Sequence, residues 1–121
     1  MQHASKAYAL IARETASPRE LEATLLLTAA AKMQAAHDKW DDKSADLDEA
    51  VLYNRRLWTV FIDSVLRDDS PLPVAVRENL ANLGVFVMDQ TFSLMTNPRP
   101  GNLASLIKIN REIAAGLRGN G

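Results

Sequence analysis

The sequence predicts an all-α protein: a single-domain antiparallel bundle of about five helices spanning residues 1–121. Three observations carry that reading. Apolar residues recur at steps of three, four and seven through each long segment, the spacing that places them on one helical face. Proline, glycine and acidic clusters fall in a few short stretches that divide those segments. A chain of 121 residues that is 47% apolar is long enough for one ordinary core and too apolar for intrinsic disorder.

The elements follow in order. Ala4, Ala7, Tyr8, Leu10, Ile11 and Ala12 predict a short N-terminal helix. Ser17-Pro18-Arg19-Glu20 then reads as a start signal, with Ser17 as cap, Pro18 in the first helical position and Glu20 completing a capping box. The second helix is expected to bury Leu21, Leu25, Thr28, Ala29 and Met33, and to fade near His37. Its many alanines let a neighbour approach closely. Residues 38–49 form an acidic connection, with Trp40 expected to fold back onto the bundle. A calcium loop is excluded there, because the acids are wrongly spaced and the glycine of the sharp turn is missing.

Asp46 and Glu49 predict the cap of the central helix. Leu47, Val51, Trp58, Ile62 and Val65 form its stripe, widened by Leu57, Phe61 and Leu66. Asn54 lies on that stripe one turn before Trp58, where a polar amide is costly unless hydrogen-bonded. Pro71 and Pro73 end this helix and open the fourth. Val76, Leu80, Leu83, Val87 and Leu94 form one stripe of that fourth helix, and Val85, Phe86 and Met88 make its middle apolar nearly all round, the pattern of a buried helix or, as the alternative, of an exposed groove for a partner. After the loop Asn97-Pro98-Arg99-Pro100-Gly101, a last helix from near Asn102 carries Leu103, Leu106, Ile109, Ile113 and Leu117.

Composition excludes several chemistries. The chain contains no cysteine, so disulfides, thiolate metal sites and thiol catalysis are absent together. His3 and His37 are the only histidines, lack a second ligand at metal spacing and are expected at the surface. No nucleophile-elbow or phosphate-loop glycine pattern occurs, and the carboxylates cluster in a solvated connection. The chain is therefore expected not to be an enzyme, and to need neither cofactor nor metal. Fourteen basic residues against 15 acidic ones make direct nucleic-acid binding an unfavoured reading. No signal peptide or membrane-spanning stretch is seen, so a soluble protein is expected, and the lack of cysteine suits a reducing cytoplasm.

Several motifs combine informatively: Ala7-Tyr8, Pro18-Arg19-Glu20-Leu21-Glu22-Ala23, Asn54-Arg55-Arg56-Leu57-Trp58 and Leu106-Ile107-Lys108-Ile109-Asn110-Arg111-Glu112-Ile113. Together they resemble the flagellar biosynthesis regulator FlaF family of alphaproteobacteria, over nearly the whole chain. The resemblance implies a cytoplasmic protein that binds flagellin and supports its synthesis and export, beside a second regulator, FlbT, that acts on translation of flagellin messenger RNA. The expected role is a chaperone or adaptor holding an amphipathic flagellin segment in an apolar groove. The alternative is a post-transcriptional regulator acting on flagellin mRNA, directly or with FlbT. Residues 37–44 are more acidic than expected for the family's connection. On residue type, Arg55, Arg56, Trp58, Phe86 and Met88 are expected to border the groove, while Asn54 and Asn110 lock the bundle.

Overall fold

The computed structural model describes residues 18–119. They form four helices and no strand: α1 (Pro18–Asp38), α2 (Ala45–Val65), α3 (Val74–Thr96) and α4 (Pro100–Leu117). The expected helix over 4–12, the Ser17 cap and His3 lie outside the described residues. The α2 cap sits two residues earlier than the sequence suggests. The Ser44 hydroxyl, not Asp46, accepts from the N–H groups of Asp46 and Leu47, and Asp46 instead places its carboxylate in the first turn, where the helix dipole favours it. α4 likewise begins at Pro100 rather than near Asn102, since proline at the first helical position loses no hydrogen bond.

Each helix packs against its neighbour in sequence, and α4 closes back on α1 in the most extensive contact of the four. That closure selects the buried face of α1. Ala23, Leu26, Ala29, Ala30 and Met33 face inward, while Leu21 and Thr28 are exposed and Leu25 is half-buried. The sequence-predicted stripe of α1 is thus displaced around the helix, because small alanine side chains let α4 come close and win the interior over bulkier leucines. On α2, Leu47, Val51, Trp58, Phe61 and Val65 are buried as their spacing predicts, whereas Ile62 is only half-buried and Leu66 exposed. Trp40 packs on the edge of the core. His37 is half-buried rather than at the open surface.

The largest departure lies in α3. Leu80, Gly84, Val87, Thr91 and Leu94 face inward, but Val85, Phe86, Phe92 and Met95 are exposed. Its apolar circumference is therefore not matched by neighbours on every side: among the described residues α3 packs mainly on α2 and α4. At Gly84 a Cβ would stand 2.9 Å from Cδ1 and Cγ1 of Ile62. The missing side chain is what lets α2 and α3 approach at that level.

One ion pair in the first turns of α1 links packing to pH. Arg19 Nε lies 2.8 Å from a Glu22 carboxylate oxygen, and both side chains are largely covered. Burial raises the Glu22 carboxyl above its ordinary value of 4.5, opposed by the Arg19 charge and by a hydrogen bond with Ser64. Folding thus favours the protonated acid. The stability this contributes is present in full below the ordinary carboxyl value and disappears as pH rises through the raised one. Glu22→Gln keeps the neutral shape, so urea melts should show a gain over the native protein at pH 7 and none at pH 4. Equal differences at both pH values would refute a burial-raised carboxyl.

Candidate functional site

Asn54 and Asn110, expected to lock the bundle, and Trp58, expected at the groove, form one buried network. Trp58 is fully buried, and its Nε1–H donates to Asn110 Oδ1 at 2.9 Å. Asn110 Nδ2 in turn donates to Asn54 Oδ1 at 2.8 Å and to the Leu26 carbonyl at 3.2 Å. The network joins α1, α2 and α4 at a single level, with the Trp58 ring edge-on to Phe61 at 5.3 Å between centroids. Asn54 Nδ2 has no hydrogen-bond partner among the described residues. Asn110 thus holds the centre and Asn54 only its rim.

The apolar surface left open lies beside this network. Along the α2–α3 seam, one hollow is walled by Thr59, Ile62 and Leu66 from α2, and by Ala81, Val85 and Met88 from α3. A second hollow is walled by Leu52, Arg55, Leu94 and Met95. Because positions 52, 55, 59, 62 and 66 share one face of α2, the two hollows follow one seam and are taken together as the α2–α3 groove. On α3 the wall positions 81, 85, 88 and 95 recur at helical spacing, and Phe92 falls on the same stripe. Val85, Phe92 and Met95 are 63%, 67% and 58% exposed. The stripe spans about 20 Å at the helical rise of about 1.5 Å per residue. A second apolar groove runs along the other side of α2, between Leu25 of α1 and Tyr53, Arg56, Leu57 and Val60.

The sequence-predicted groove residues are therefore separated by the fold. Met88 and Arg55 line the α2–α3 groove. Arg56, one residue on and about 100° around the helix, lines the α1–α2 groove instead. Trp58 reaches the α2–α3 groove only from beneath, as a wholly buried residue. Its indole is committed to Asn110. Phe86 is exposed but lines neither groove, because position 86 turns away from the stripe of 81, 85 and 88. Spacing within α3 flags Phe92 and Met95, which sequence reasoning missed by stopping at Met88.

Among the described residues no group of three or more His, Asp or Glu side chains stands close enough to hold a metal ion. No helix among them is long and apolar enough to cross a membrane.

A sequence model of the family described as "Flagellar protein FlaF" matches residues 4–117. The chain belongs to the FlaF family. Comparison with curated proteins finds no match, and comparison with solved structures finds none. In this FlaF-family chain the segment Asn54–Trp58 serves three surfaces at once. Asn54 and Trp58 point into the core, Arg55 lines one apolar groove, and Arg56 and Leu57 line the other. Among the described residues, five consecutive positions thus join the interior to both of these apolar grooves.

Proposed function

We propose that this protein is a flagellin-binding chaperone or adaptor, acting in the cytoplasm to promote flagellin synthesis and secretion during flagellum biogenesis. It does so by holding an amphipathic flagellin segment in the α2–α3 groove. The observation that carries the reading is the stripe of Val85, Phe92 and Met95, exposed among the described residues, with the half-buried Met88 between them packed on the core. Such a groove suits a helix that anchors itself at i, i+3 or i+4, and i+7. Membership of a flagellar family supports flagellin as the source of that helix. The role is that of a binding module rather than an enzyme, and FlbT is a functional partner on the same pathway. Direct contact with the flagellin message is the weaker reading, because Arg55 and Arg56 face different grooves and phosphate recognition needs clustered cations.

Calorimetric titration with monomeric flagellin, repeated with flagellin lacking each terminal segment, tests this directly. One-to-one binding that disappears with one terminus is the expected result. Absence of binding at micromolar concentrations would overturn it and make the flagellin leader RNA the next titrant.

A further inference from the structure

The α2–α3 groove is not electrically neutral along its length. Three charged side chains line it: Asp48 and Arg55 from α2, and Asp89 from α3. All three are exposed, and none makes an ion pair among the described residues. Asp48 and Arg55 stand seven positions apart on one lip, about 10 Å along the helix. Asp89 stands on the opposite lip. Asp63, beyond the groove wall on α2, lies 3.7 Å from Arg67, which balances the charge at that end.

We infer that the groove selects its helix by charge as well as by apolar spacing. The partner is an amphipathic helix of about four turns carrying a base and an acid seven residues apart on the border facing α2, and a base on the border facing α3. The base lies over Asp48, the acid over Arg55, and the second base against Asp89. This is the logic by which flanking charges set partner and register in coiled coils, where the apolar seam supplies affinity without discrimination. An apolar stripe alone accepts any helix of suitable spacing, and three fixed charges of mixed sign do not. The inference rests on the reading that the groove takes a helix, and it names the chemistry of that helix.

Two synthetic helical peptides of about four turns separate the possibilities. Both carry leucine on the same apolar face. One has the lysine, glutamate and lysine borders described, and the other has every border charge reversed. Titrated into the full chain at low salt, the matched peptide should bind roughly tenfold more tightly, since each exposed pair contributes only a small factor. The difference should narrow as salt rises. In Arg55→Glu the preference at the central border position should invert, so that a peptide with lysine there gains on one with glutamate. Equal affinities for both peptides would overturn the charge inference and leave the groove reading intact. If neither peptide binds, the groove takes no helix of this kind, and both readings fall. Self-association of the chain through this face would appear as a concentration-dependent sedimentation coefficient, and would overturn the choice of a foreign helix.

Discussion

Replacing Trp58 by alanine leaves this protein unfolded or barely folded. The indole is fully buried, and truncating a buried tryptophan costs about 3–5 kcal/mol. Losing the edge-on pair with Phe61 adds about 1 kcal/mol, and Asn110 Oδ1, which now accepts from Nε1, is left without a donor at a further cost of about 1–3 kcal/mol. The total approaches the whole stability of an ordinary domain, about 5–15 kcal/mol. More informative substitutions follow from how the network is wired. Asn110→Leu removes three hydrogen bonds at once and strands the Trp58 N–H and Asn54 Oδ1, while the Leu26 carbonyl keeps its intrahelical donor, so it should cost about 3 kcal/mol or more. Asn54→Leu removes only one acceptor, together with a donor that had no partner among the described residues. It leaves one buried Asn110 Nδ2–H without its acceptor but also removes Asn54's own unpartnered amide, so it should cost about 1 kcal/mol, clearly less than Asn110→Leu. Equilibrium urea unfolding ranks the two. Equal losses would mean that Asn54 is as central to the network as Asn110.

How much of this was legible in the sequence depends on what each residue had to compete with. The α2 stripe was legible because its large apolar residues outnumber any rival face, so spacing alone orients the helix. In α1 the rule held only in part. Ala29 and Met33 are buried as expected, but of the rest of the stripe Leu21 is exposed and Leu25 half-buried, while Ala23, Leu26 and Ala30 are buried instead, because closeness of approach to α4 outweighs side-chain area. Boundaries slipped for local reasons: Ser44 bonds two backbone N–H groups where Asp46 had been expected to cap. The α3 helix was misread for a different reason. A circumference of apolar residues predicts burial only when neighbours exist on every side, and a sequence does not count neighbours. The Trp58–Asn110 bond joins positions 52 apart, and neither local spacing nor propensity carries a signal for it. What spacing did supply was the position of Asn54 on a buried stripe, which is enough to demand a partner but not to name one.

Exposure also determines where substitutions should separate binding from folding. Val85→Lys and Phe92→Lys, singly and together, should leave stability within about 0.5 kcal/mol of the native protein, the usual range for exposed positions. Both side chains already face solvent, and a lysine at 85 gains an i,i+4 pairing with Asp89, worth about 0.2–0.5 kcal/mol. Binding should respond very differently. A helix seated on the stripe covers these positions, and an ammonium group there must either lose its water or hold the helix away from Met88 and Met95. Each single substitution should weaken flagellin binding about 30-fold, the effect of removing an interface anchor worth about 2 kcal/mol. The double variant should abolish binding within the range of calorimetry. Val60→Lys supplies the comparison. Val60 is equally exposed but belongs to the groove on the other side of α2, so its replacement removes as much apolar surface while leaving the α2–α3 stripe intact, and binding should be unchanged. The reverse pattern, with Val60→Lys defective and Val85→Lys normal, would move the flagellin site to the α1–α2 groove, where Arg56 rather than Arg55 would face the bound segment.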